Sequence, residues 1–452
     1  MSTSRRFFLG AASALAATRV WGANDKANIA IVGVGGRGTN HLDNYSRMPE
    51  ARVTAVVDID QAARETANAR LVRNGQEKAK EFEDMRAAFA DPGVDAVSIA
   101  TPNHWHALAT ILAMKAGKDV YCEKPACHNI HEGLEMVKVA RETKKLVQIG
   151  SQHRSTGFKI RAFQALQQGV IGKIYMAKGL CFKRRFSIGK VADSPVPAGV
   201  NWDLFRGPAP MRPYNANRFK YKWHWFWDTG NGDIGNQGVH EIGVCRWALG
   251  DPEWPKTAFA TGGKFAYDDD QETPNTLLAS FNYGEREIVF EVRGLLTNPE
   301  GGAPGRQITA GPRPAGAPGA SPTPSTNAAQ PAKPISVMVG NLFYGSEGWA
   351  VMSDDGFIAY KGESSEPVLE EKPERDATVA HMQNFLAACK SRNPKDLHDP
   401  VENSHLSAGL CHLANISYRV GRKLTLEAGP KFAGDAEANK MLTREYRKPY
   451  VV

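Results

Sequence analysis

Between residues 28 and 149 short apolar runs alternate with helix-like stretches, and no other feature constrains the fold as tightly. The runs cover 28–34, 53–59, 96–101, 119–122 and 146–149; the helix-like stretches cover 37–48, 61–82, 105–116 and 130–144. Brief β-branched runs with little polar alternation suit strands buried on both faces. Strands of that kind joined through helices make a parallel sheet.

Where the first run gives way to the first helix stands Gly33-Val34-Gly35-Gly36-Arg37-Gly38, a G-x-G-x-x-G turn. Gly33 permits the tight turn, Gly35 lets backbone approach a pyrophosphate, and Gly38 allows close helix–strand packing. The helix N-terminus then faces negative charge. Asp58 ends the second run, 20 residues beyond Gly38, where a carboxylate can accept from ribose hydroxyls. A carboxylate there repels a 2′-phosphate, which favours NAD; Arg37 and Arg64 keep NADP open. These signals predict a Rossmann dinucleotide-binding domain over 24–150.

After Gly150 the pattern changes. A helix-like stretch at 158–169, a strand at 173–184 and an aromatic-rich loop lead to a helix near 236–249. Alternating runs follow at 277–283, 287–293, 336–339 and 348–352, then helices at 377–391 and 404–421. Residues 151–452 therefore read as an α+β domain with a large, mostly antiparallel open sheet that carries the substrate site. Residues 295–334 are rich in Gly, Pro, Ala and Ser. They have too little apolar surface to offset ordering entropy and read as a disordered insertion.

Ser4-Arg5-Arg6-Phe7-Phe8-Leu9-Gly10 is a twin-arginine pattern followed by a small-residue apolar run, so 1–23 reads as an export signal and the protein as periplasmic or otherwise exported. That run is too short to anchor a membrane, and no later one is apolar enough. The net charge of +8 includes Arg5, Arg6 and Arg19, and the remainder forms no basic block, which gives nucleic-acid binding little support. The six cysteines form no C-x-x-C pair, and their spacing suits neither a disulfide scaffold nor zinc; no metal is expected.

Two further strand ends carry chemistry: Thr101-Pro102-Asn103-His104-Trp105-His106 and Glu123-Lys124-Pro125. Ligands bind beyond the carboxyl ends of strands in such sheets, so both turns should border the reactive end of the dinucleotide. With the glycine turn and Gly235-Asn236-Gln237-Gly238-Val239-His240, these motifs make the chain resemble the glucose–fructose oxidoreductase / inositol dehydrogenase / MocA (Gfo/Idh/MocA) family.

The resemblance implies an NAD(P)-dependent oxidoreductase acting on a secondary hydroxyl of a sugar, polyol or glycoside. Lys124 contacts the reacting hydroxyl and His240 shuttles its proton. Gly33, Gly35, Gly36, Arg37, Gly38, Asp58, Thr101, Pro102, Asn103, His106, Glu123 and Lys124 hold the cofactor. Arg154, Lys183, Tyr221, Asn236 and Gln237 are candidates for binding substrate hydroxyls. The family carries aspartate four residues before its histidine; this chain has Asn236, with Asp233 and Asp228 near enough in sequence to compensate. The aromatic run Trp223 to Trp227 reads equally as core or as a stacking surface for sugar. Export of a folded protein implies a tightly bound cofactor regenerated in place. It can be regenerated by a second substrate or by a redox-neutral glycosidase or lyase reaction through a transient keto-sugar. A non-catalytic sugar- or cofactor-binding protein is the reading from another class. A homo-dimer or homo-tetramer is expected by analogy.

Overall fold

The computed structural model describes residues 26–300, 338–364, 366–374 and 377–452. The export segment 1–23 and residues 301–334 of the insertion lie outside them. Strands β1 (Ala27–Val32), β2 (Ala51–Val57), β3 (Lys80–Phe82), β4 (Ala96–Ile99), β5 (Asp119–Cys122) and β6 (Val147–Ile149) form one parallel sheet in the order β3-β2-β1-β4-β5-β6. All residues of β1, β4, β5 and β6 are buried, as strands covered on both faces require. The strand order reverses between β1 and β4, and that reversal opens a crevice at their carboxyl ends.

The expected helix over 61–82 is shorter. It runs Gln61–Arg73 and stops where Asn74 leads into Gly75, whose φ is +82°. β3 and a helix at Met85–Ala90 follow. Being three residues of exposed or half-exposed edge, β3 leaves no apolar run in the sequence.

A second sheet contains β7 (Ile174–Cys181), β8 (Thr257–Gly263), β9 (Thr276–Asn282), β10 (Glu287–Arg293), β11 (Val339–Gly345), β12 (Gly348–Ser353), β13 (Gly356–Lys361), β14 (Pro367–Glu371) and β15 (Leu424–Thr425). Its order is β14-β13-β12-β11-β7-β10-β9-β8-β15, antiparallel throughout except for β7 beside β10. In β10 the residues Ile288, Phe290 and Val292 are buried while those between are half-exposed, the period-two signature of a sheet with one covered face. Helices Val239–Ala248 and Val401–Val420 supply the cover. Strands β8, β13, β14 and β15 were not foreseen, and β11 begins where the expected run at 336–339 ends, residues 336 and 337 lying outside the described ones. β8 buries only Ala258 and Ala260, so its inward side carries no large apolar residue to signal it.

Gly150 separates the two sheets, yet packing crosses it. Met382, Phe385 and Leu386 of helix Ala377–Ser391 share a core with Ile29, Ile31 and Tyr121 of the first sheet. The chain after β7 also reaches back. The Gln61 backbone N–H donates to Gly199 O at 2.9 Å and that of Asn201 to Ile59 O at 2.9 Å, joining this strap to the turn after β2. Its own aromatic cluster, Trp202, Phe205, Tyr214 and Phe219, holds the strap in shape.

Candidate active site

A cleft of ≈740 Å³ runs from the glycine turn past the ends of β1, β2, β4 and β5 and under the strap. Its walls include Gly33 to Arg37, Asp58, Thr101, Pro102, Asn103, His106, Glu123, Lys124 and Asn236 from the sequence-based set, and Tyr221 as well. Gly33 has φ +83°, and a Cβ there would lie 2.9 Å from Ala100 O. A Cβ on Gly38, which packs behind the cleft, would lie 1.7 Å from Gly33 O. Gly35 differs: its φ is −73° and a Cβ would meet nothing within 4 Å. The fold itself thus does not demand glycine at 35, where the open space would admit a ligand against the backbone. No side chain caps the helix Gly36–Arg47 and its first turn lacks acids, so its positive end borders the cleft with only Asp58 beside it.

Asp58 accepts from the backbone N–H of Val34 at 2.9 Å and of Asp60 at 3.0 Å, which holds the carboxylate beside the glycine turn. Burial pushes its pKa up. Arg64 is drawn aside, donating to Asp58 O at 2.6 Å and lying 3.7 Å from Glu81. Arg37 donates to Glu123 at 2.9 Å. Thr101 Oγ1 is buried with no partner among the described residues. A group left so costs about 1–3 kcal/mol, which a polar ligand atom recovers. The bare Gly35, the open helix end and the orphaned Thr101 hydroxyl all fit a dinucleotide.

Glu123 organises the reactive end. Its carboxylate accepts from Arg37, from His41 at 2.9 Å and from Gln152 at 3.0 Å, and the Arg37 and Lys124 charges with the His41 bond hold its pKa well below the usual range despite burial. His106 lies 2.7 Å from Thr101 O and 2.6 Å from Pro125 O, tying the two strand-end turns together. Lys124 then reaches across the cleft. It donates to Asn236 O at 2.7 Å and lies 3.4 Å from Asn236 Oδ1. Burial lowers the Lys124 pKa, opposed chiefly by Glu123.

Asn236 sits in a π-helical turn, Ile234–Gly238. A wide turn of this kind releases carbonyls from the regular ladder, and functional sites use it repeatedly. The Asn236 amide donates to Tyr221 Oη at 3.0 Å and to Asp233 at 3.3 Å, while Arg185 grips Asp233 through two bonds of 2.8 and 2.6 Å. An aspartate at 236 would face Asp233; the neutral amide avoids that repulsion. Asp228 is engaged elsewhere, by Arg206, Arg212 and Arg218.

Several expectations need correction. Arg154 does not reach the cleft: it forms bonds of 2.8 and 2.5 Å with Asp251 and lies over Trp247. Lys183 is exposed and lines no part of the cleft. Gln237 turns to Glu241, 3.1 Å away. His240 is near enough for the Lys124 charge to add to the burial that lowers its pKa, but it is not among the cleft-lining residues. Its ring packs edge-on against His153 at 5.1 Å, and its Nδ1 is buried without a partner among the described residues.

His224 lies within the aromatic run that reads equally as core or as a stacking surface. It lines the cleft and stacks on Trp223 at 3.6 Å. Trp225 and Phe226 of the same run are core. All six cysteines are free and buried. Among the described residues, no helix is long and apolar enough to cross a membrane, and no group of three or more His, Cys, Asp or Glu stands ready to hold a metal.

Residues 27–151 match an oxidoreductase family described as an NAD-binding Rossmann fold, and residues 164–261 match its C-terminal alpha/beta domain. Inositol 2-dehydrogenase of Rubrobacter xylanophilus is 31% identical over 160 residues, 35% of this chain and 44% of that protein. Glycosyl hydrolase family 109 protein 2 of Shewanella sp. (strain ANA-3) is 29% identical over 154 residues, 33% of this chain and 34% of that protein. Both matches span less than half of the relative's length. The crystal structure of the WlbA dehydrogenase from Bordetella pertussis, in complex with NADH and UDP-GlcNAcA, superposes with a TM-score of 0.61 at 17% identity, over 89% of this chain and 98% of that one. At that identity the superposition shows the fold alone.

Proposed function

Since the chain belongs to the Gfo/Idh/MocA oxidoreductase family, we propose that it is an NAD-dependent oxidoreductase acting on a secondary hydroxyl of a sugar, polyol or glycoside. The reading is carried by Lys124, a half-buried lysine of lowered pKa that lines a cleft fitting a dinucleotide. Bound NAD supplies the hydride acceptor. Gly33 to Arg37, Asp58, Thr101, Pro102, Asn103, His106 and Glu123 would hold it. Lys124 takes the hydroxyl proton, because burial disfavours its ammonium form and enlarges the fraction of free amine at neutral pH. The Asp58 carboxylate disfavours a 2′-phosphate and so favours NAD over NADP.

Tight cofactor binding is supported by the strap. Leu204, Phe205, Phe219 and Lys220 of the strap line the cleft, and backbone bonds fasten the strap to the turn after β2, an arrangement that favours retention of the cofactor. Release of NAD on denaturing the purified protein, with none lost on dialysis, is the expected result; protein isolated free of nucleotide contradicts tight binding. Export by the twin-arginine route accords with a cofactor acquired before secretion. Replacing Arg5 and Arg6 together by lysine should then hold the protein in the cytoplasm. The open sheet face, where Phe259 and Leu278 are exposed, supports a homo-dimer or homo-tetramer.

A redox-neutral glycosidase is the second reading, favoured by the absence of a carboxylate at Asn236 and by the likeness to a glycosyl hydrolase family 109 protein. Release of an aglycone without net NAD reduction selects it; accumulation of NADH with a free sugar or polyol selects the dehydrogenase.

A further inference from the structure

His224 comes from the strap rather than from either sheet, yet it shares the reactive end of the cleft with Lys124 and Asn236. Its Nδ1 lies 2.6 Å from Tyr221 O. A carbonyl oxygen only accepts, so Nδ1 carries the hydrogen and Nε2 presents a lone pair. Among the described residues Nε2 has no partner, although the side chain is buried. The ring cannot turn freely. It stacks on Trp223 at 3.6 Å and 19°, lies 4.6 Å from the Tyr221 ring, and its backbone leaves no room for a Cβ on Gly230, which would sit 2.3 Å from His224 O.

Several neighbouring polar groups already bond within the protein. Lys124 is bound to Asn236, Asn236 to Tyr221, and Arg185 to Asp233. His224 Nε2 is thus an acceptor without a partner among the described residues, on a side chain that lines the cleft. We propose that His224 determines specificity by accepting a hydrogen bond from a substrate hydroxyl near the reacting one. This rests on the sugar or polyol reading of the cleft and deepens it. An acceptor held in this way selects a hydroxyl over hydrogen at one carbon, because a deoxy substrate leaves the nitrogen desolvated and unpaired. Burial holds the His224 pKa down at about 3, so the ring stays neutral and keeps its lone pair at every working pH.

The test uses the NADH-loaded protein and titration calorimetry with D-glucose, myo-inositol and 1,5-anhydro-D-glucitol, together with the monodeoxy analogues of whichever binds. Wild type should favour the hydroxyl over one deoxy analogue by about tenfold or more. His224→Phe, which keeps an aromatic ring on Trp223, should reduce that preference to about twofold or less, and His224→Gln, with an amide acceptor, should restore part of it. A purely structural role weakens hydroxyl and deoxy probes equally, and unchanged discrimination in His224→Phe with an unaltered melting temperature overturns the proposal. Failure of wild type to bind any of the three polyols overturns the sugar reading itself, and the assignment with it.

Discussion

Lys124 donates its Nζ hydrogen to the backbone carbonyl of Asn236 at 2.7 Å, joining the end of a strand in the first sheet to the π-helical turn that precedes helix Val239–Ala248. The bond fixes the amine at the floor of the cleft without using a charged partner. The carboxylates acting on it are more remote or already engaged: Glu123 is held by Arg37 and His41, Asp233 by Arg185, and Glu241 by Gln237. Burial, the largest influence, therefore prevails and lowers the Lys124 pKa.

Placing a carboxylate at 236 should reverse that balance. In Asn236→Asp a negative charge beside Lys124 favours the ammonium, so the lysine pKa rises. Turnover grows as pH climbs through that pKa, since the free amine takes the proton. The basic-going rise in the pH–kcat profile should move up by about one pH unit. A profile that stays put or moves down removes Lys124 as the titrating group.

Gly35 and Gly38 belong to one motif but answer to different demands. Gly35→Ala should fold with an unchanged melting temperature, because its Cβ would meet nothing within 4 Å, yet bind NAD about tenfold or more weakly. Gly38→Ala should lose about 1–3 kcal/mol of stability, since its Cβ would lie 1.7 Å from a backbone oxygen. Thermal melts paired with NAD titrations separate the two. Normal NAD affinity in Gly35→Ala places the pyrophosphate elsewhere.

Asp58→Ser removes the charge that repels a 2′-phosphate and also an acceptor for the Val34 N–H. Both cofactors should bind more weakly, with the NADP-to-NAD affinity ratio rising about tenfold or more. An unchanged ratio means that Asp58 only shapes the turn.

Burial drives the Glu241 pKa up to about 8 from the ordinary 4.5, and its Oε2 has no partner among the described residues. A carboxyl with a raised folded pKa costs nothing below the unfolded value. The cost grows as pH rises from about 4.5 to about 8, where the folded state must ionise it. Glu241→Gln should therefore stabilise the protein on the order of 2 kcal/mol at neutral pH and leave acid stability unchanged. Denaturant titrations at two pH values check this; equal effects at both contradict it.

The cofactor end of the cleft was legible because it depends on local constraints. The Gly33–Gly38 turn, Asp58 and the Glu123–Lys124–Pro125 turn each follow a strand that its own apolar run announces. The substrate end was less legible because its members come from segments without periodicity. The strap residues Trp202, Phe205, Tyr214 and Phe219 form their cluster through tertiary packing alone. His224 is one ring in a run whose neighbours Trp225 and Phe226 are core, and only the fold shows which of them faces the cleft. Arg154 was a candidate for binding substrate hydroxyls, but Asp251, 97 residues away, captures it. The resemblance placed Asn236 and His240 in one site; a π-helical turn begins that segment, and of the two only Asn236 lines the cleft.

Whether Lys124 carries proton removal beside a bound nicotinamide is tested most directly by single-turnover absorbance on NAD-loaded protein mixed with a panel of sugars and polyols. Wild type should form reduced nicotinamide with at least one of them. Lys124→Ala should form it about 10²–10⁴-fold more slowly while retaining its NAD. Equal rates in the two proteins, or reduction by none of the panel, would contradict the account.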